Sequence, residues 1–200
     1  MHGLIHAQLQ KFVIAHHGRP AWQGLLKEAG LGNKTFLTSK QYPDSDIGGL
    51  VTAACKATGA RADALLEQFG AFLVPDLIAM YQPLLQPSWR TLDLLEHTES
   101  TIHSVVRMRN PEAQPARLRF RRVGPDEVQL TYDSARKLCA VARGIIRGVA
   151  EHFEETVTIV ETACMHDGAA TCEMSVRRVM SSEKPVPAAA APSRRQARPA

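Results

Sequence analysis

The chain has 200 residues, 44% of them hydrophobic and 22% charged, with a formal net charge of +4. That size and balance suit a soluble globular unit with a sizeable core, and no disulfide framework is expected. The basic excess invites a nucleic-acid reading, but Lys184, Arg194, Arg195 and Arg198 against Glu183 place +3 of the +4 in residues 181–200.

In chain order, Leu4, Ile5, Leu9, Phe12 and Val13 recur at helical spacing, and Gly18 with Pro20 ends that segment. A second short helix spans Ala21 to Leu31 and closes at Gly32-Asn33; residues 33–45 read as a loop. Asp46 is placed to cap a helix through Ala60, and Asp63 one to about Tyr81 with a kink at Pro75. A last helix of this half runs from Thr91 to Arg109.

The period then changes to two. Arg117–Val123 and Val128–Tyr132 make a hairpin around Gly124-Pro125-Asp126. Asp133 or Ser134 is placed to cap a helix carrying Leu138, Val141, Ile145, Ile146 and Val149; Thr156–Cys164 and Cys172–Val179 form a second hairpin. The fold class is α+β: a helical N-terminal half, then β-hairpin, helix and β-hairpin. Residues 181–200 are rich in Pro, Ala and Arg with almost nothing large and apolar to bury, which predicts a disordered tail after a folded unit of residues 1–180.

Charges or prolines interrupt the apolar stretches before about 18 residues, so no membrane span is expected. No basic n-region with a long apolar run opens the chain, so a cytoplasmic location with reduced cysteines is expected. No helix-turn-helix or aromatic-interleaved basic stripe supports nucleic-acid binding. Nothing demands an oligomer, so a monomer is expected.

Three constellations carry chemistry. His103 lies at the edge of the apolar face formed by Leu92, Leu95, Ile102, Val105 and Val106. It is either a surface imidazole paired with Glu99 one turn earlier or a neutral ligand for iron in an apolar pocket. In Tyr132-Asp133-Ser134-Ala135-Arg136, residues two apart share one side of an extended segment. Two hydroxyls and a guanidinium there suit a carboxylate or phosphate; equally, the set is a strand end, a serine N-cap and a first-turn arginine. Cys139, Cys164 and Cys172, with His166, Glu161 or water as fourth ligand, match a tetrahedral zinc site or else three small buried residues. Cys55 sits at helical spacing with Leu50 and Val51 and reads as core.

In this order the pieces resemble the H-NOX (heme-nitric oxide/oxygen binding) family of bacterial gas sensors, related to the heme domain of soluble guanylate cyclase. The resemblance covers residues 1 to about 180 and rests on Met1-x-Gly3, the stretch Glu96 to His103, Pro115, and Tyr132-x-Ser134-x-Arg136. It implies that a heme b is enclosed by the fold, with His103 as proximal ligand to its iron. Tyr132, Ser134 and Arg136 would hold the propionates, and Pro115 and Ile5 would press on the porphyrin.

In relatives that hold O2 stably, a tyrosine follows the propionate motif; the matching position here is Val141, which cannot donate. Leu9, Leu73, Val74 and Leu77 are expected to line the same gas pocket. The resemblance therefore implies a ferrous sensor of nitric oxide that also takes CO and does not hold O2. NO would weaken the bond to His103 and release its helix. With no catalysis of its own, the protein would signal to a separate sensor histidine kinase or cyclic-di-GMP enzyme.

Some proteobacterial H-NOX proteins bind structural zinc through three cysteines and a histidine. That histidine lies three residues before the second cysteine, where this chain has Glu161. The alternative function is thus a zinc/thiol redox sensor on the same fold, using Cys139, Cys164 and Cys172.

Overall fold

The computed structural model describes residues 1–179, and the expected tail at 181–200 lies outside them. Helix α1 (Gly3–Glu28) is interrupted at Gly18, whose φ of 78° and ψ of 169° leave the helical region just before Pro20. This is the break anticipated there: glycine supplies the positive φ and proline restarts the helix. Helix α2 is Asp44–Thr58 and α3 is Ala62–Tyr81. Asp46 and Asp63 are not caps. They lie in the first turns of these helices, paired with Lys34 and Arg61, where carboxylates favour the helix dipole. Helix α3 runs on through Pro75 as one element.

The helix expected over 91–109 is continuous but has three parts: α4 (Thr91–His97), a π-helical segment (Thr98–His103) and α5 (Ser104–Arg109). Strands β1 (Arg117–Gly124) and β2 (Glu127–Asp133) precede α6 (Cys139–His152), and β3 (Thr156–Ala163) and β4 (Cys172–Val179) follow. The two hairpins join through a β2–β4 pairing into one antiparallel sheet of order β1-β2-β4-β3. Helix α6 begins at Cys139, not after Asp133 or Ser134. A turn from Ser134 to Lys137 intervenes, with Lys137 at φ 51°.

Helix α6 packs on the inner sheet face against Val128, Leu130, Val157 and Val176. Its other side crosses α3 almost backbone to backbone. A Cβ on Gly70 would meet the Val141 carbonyl, and one on Gly144 the Glu67 carbonyl. A second core joins α1, α2 and α3 around Trp22, Leu26 and Leu50, each worth about 1.5–3 kcal/mol on burial. His6 belongs to that core. It is fully buried and stacked 4.3 Å from Phe36, with both ring nitrogens unbonded among the described residues.

One helix is longer and more apolar than the interruptions by charges and prolines suggested. By length and composition the segment Ala62–Leu84 could cross a membrane. In the fold its apolar residues pack on α6 and, from Leu66 to Tyr81, line a cavity.

Candidate functional site

A cavity of about 520 Å³ opens between the N-terminal helices, the helix Thr91–Arg109, the sheet and α6. That is the size range of small-molecule and cofactor sites, about 300–1,000 Å³. His103, Pro115, Tyr132, Ser134, Arg136 and Ile5 all line it, as do Leu73, Val74, Leu77 and Val141. Leu9 does not. It shares the buried face of α1 with Phe12 and Val13, but that face meets the N-terminal core rather than the cavity.

The geometry of His103 keeps both of its readings open. Its Nδ1 lies 2.8 Å from Glu99 Oε2, while the residue lines the cavity and Nε2 bonds to no described residue. An ionised carboxylate only accepts, so in the neutral ring Nδ1 is the protonated nitrogen and Nε2 the one with the lone pair. Burial alone would raise the Glu99 carboxyl. The hydrogen bonds from His103, Arg107 and the Leu118 N–H outweigh it and hold the carboxyl below its usual range. The π segment ending at His103 is a rare geometry that recurs at functional sites.

The second cluster owes its shape to the turn, not to strand alternation. Tyr132 lies at the end of β2, and Ser134 Oγ accepts from the Arg136 N–H at 3.3 Å. Burial pushes the Tyr132 phenol up to about 12, so it stays a neutral hydroxyl. Arg136 donates through Nε to Asp44 (3.0 Å) and through Nη1 to the Gln114 carbonyl (2.6 Å); Nη2 bonds to no described residue. Asp44 also takes the N-terminal ammonium at 2.6 Å. Gly3 makes this close start possible, because a Cβ there would strike the Leu37 carbonyl. Asp44 is 92 residues from Arg136, and no local pattern marks it.

Sequence reasoning also misses Tyr81. It lines the cavity one turn beyond Leu77, on the face that carries Leu73 and Leu77. The i, i+4, i+8 spacing of these three is the signal that could have found it.

The thiols converge at the start of α6. Cys139 Sγ and Cys172 Sγ each lie 3.8 Å from Cys164 Sγ. Glu161 completes a group whose ligand atoms all lie within 4.8 Å of one another. His166 is not in it: it is exposed and its Nε2 sits 2.8 Å from the Lys137 carbonyl. Burial and the neighbouring thiols push Cys139 upward, and burial pushes Cys172 upward.

A family model described as Haem-NO-binding matches residues 2–161. Among solved structures the chain is similar to an H-NOX protein from S. oneidensis in the Fe(II)NO ligation state. The TM-score is 0.84 at 24% identity, covering 90% of this chain and 100% of that one. It is similar to an H-NOX domain from Shewanella oneidensis in the Fe(II)CO state, with TM-score 0.80, 24% identity, and 90% and 99% covered. An Fe(II) unliganded H-NOX protein from K. algicida gives TM-score 0.80 at 18% identity, covering 90% and 97%. At these identities the likeness shows the fold. No curated protein matches the chain significantly by sequence.

Proposed function

The chain belongs to the Haem-NO-binding, or H-NOX, family of heme-based gas sensors, and from that premise we propose that it takes nitric oxide at a ferrous heme held by His103. The observation that carries this reading is His103 itself: it lines a cofactor-sized cavity with Nδ1 tied to Glu99 and Nε2 free among the described residues. The donor set fits the group. One imidazole suits the iron, and a guanidinium with a free Nη2 beside two hydroxyls suits propionates.

Bound heme would supply a ferrous iron with an open position for a diatomic gas. Tyr132, Ser134 and Arg136 would hold the propionates, Arg136 keeping Asp44 through Nε. Ile5 and Pro115 would bear on the ring. Leu73, Val74, Leu77 and Val141 give the gas no hydrogen-bond donor, which supports NO and CO over O2; Tyr81 is the hydroxyl nearest to them along α3. Release of His103 would leave its ring on Glu99 and free the helix Thr91–Arg109, a shift between two states. The partner reading the shift is a separate sensor histidine kinase or cyclic-di-GMP enzyme.

The test is His103→Gly. The variant should lose heme and regain it with added imidazole; full heme retention without imidazole would show that another residue holds the iron.

A second reading has its own observation. A tetrahedral zinc with Zn–S of about 2.3 Å spaces its sulfurs about 3.8 Å apart, the separation of the Cys139–Cys164 and Cys164–Cys172 pairs. Glu161 Oε1 is buried without a partner among the described residues, while Oε2 is held by Arg143 at 3.0 Å. We read a structural zinc held by Cys139, Cys164, Cys172 and Glu161, linking α6 to the last hairpin. The family match lends nothing to it; it stands on this geometry. Protein purified without chelator should carry about one zinc per chain, and a content far below that refutes the site.

A further inference from the structure

Glu99 lies one turn before His103, and both of its oxygens are engaged. Oε2 accepts from His103 Nδ1 at 2.8 Å and from the Leu118 N–H at 3.2 Å; Oε1 accepts from Arg107 Nη2 at 2.7 Å. One carboxylate therefore joins the imidazole, the next turns of its own helix and the backbone of strand β1. Leu118 also lines the cavity. It sits on the edge strand of the sheet, and its N–H points away from β2 toward the helix.

A carboxylate on the N–H of an imidazole fixes the tautomer and ring orientation and raises the basicity of the other nitrogen. Arg107 draws on the same carboxylate and weakens what Glu99 gives to His103. We propose that Glu99 is the positioning residue of the heme site. It sets the strength of the iron–histidine bond and ties the His103 ring to β1 at Leu118, so that motion of His103 is felt in the sheet. This rests on the reading of His103 as the heme ligand.

The opposed roles of Glu99 and Arg107 supply the test. Reduced heme-loaded wild type, Glu99→Gln and Arg107→Ala are compared by the iron–histidine stretching band in resonance Raman and by heme transfer to a heme scavenger. Glu99→Gln should lower the band frequency and speed heme loss roughly 10–100-fold, the usual cost of removing an outer partner of a metal ligand. Arg107→Ala should move the band the other way. The Leu118 amide should exchange with solvent faster in Glu99→Gln than in wild type.

General damage to the fold would not move the band in opposite directions. If Glu99→Gln does not fold, the upward shift in Arg107→Ala still decides, because Arg107 is exposed. An unchanged band in both variants, or shifts of the same sign, overturns the proposal while leaving the heme reading intact. A wild type that takes up no heme overturns both.

Discussion

Where α3 crosses α6, Gly70, Gly144 and Gly148 let the two helices approach until backbone meets backbone. Where the helix Thr91–Arg109 meets β1, side chains make the contact: Leu92 and Leu95 share a core with Leu118 and Phe120, Arg122 pairs with Asp93 and Glu96, and Glu99 accepts from the Leu118 N–H. Both pairs of elements wall the same cavity. Backbone contact through glycine has one arrangement, and anything larger forces the helices apart. Ion pairs and hydrogen bonds can exchange partners or water at small net cost. We therefore expect the wall carrying His103 to open more readily than the wall made by α3 and α6.

The largest effect should come from breaking the rigid wall. Gly144→Ala drives a methyl into the Glu67 carbonyl, and we expect a loss of about 3 kcal/mol. For a chain of this size that is a fall in Tm of about 6–12 °C in thermal unfolding. The wall carrying His103 should respond differently. Arg122→Gln removes pairs that are already partly hydrated and should cost on the order of 1 kcal/mol. Its signature is local: hydrogen exchange should quicken along Thr91–Arg109 while α3 and α6 keep their protection. Equal loss of protection in both walls would erase the distinction.

The smallest effect concerns pH. Burial lowers the pKa of His6 below its usual 6.5, in a pocket that Asp46, the N-terminal ammonium and Lys34 also influence. The unfolded chain therefore binds the proton better than the folded one, and stability falls as pH drops below about 6.5. His6→Phe, which keeps the stack on Phe36, should flatten the denaturation midpoint between pH 7 and pH 5. An unchanged slope would assign the acid sensitivity to other groups.

What can be read from the sequence follows the range of the forces involved. The strands emerge nearly residue for residue, because alternation in Arg117–Val123 records a half-buried face that sets Leu118 and Phe120 against the core. The break at Gly18-Pro20 is a local backbone effect and is equally legible. The start of α6 is not: a left-handed Lys137 inserts a turn that neither Asp133 nor Ser134 announces. At the site, His103 and the Tyr132–Arg136 motif are marked by residue type and spacing. Asp44, the partner of Arg136, and Leu118, the partner of Glu99, are set by tertiary contact, which leaves no period in the chain. Leu9 shows the same limit from the other side. Its spacing correctly gives a buried face, but spacing does not say which of two apolar spaces that face meets.

The most direct test is the absorption spectrum of the reduced, heme-reconstituted protein, recorded alone, under NO and in air. The expected result is a strong heme band that shifts under NO, with no stable oxy complex in air. A colourless protein, or one that holds O2 stably, would contradict a ferrous NO sensor built on His103.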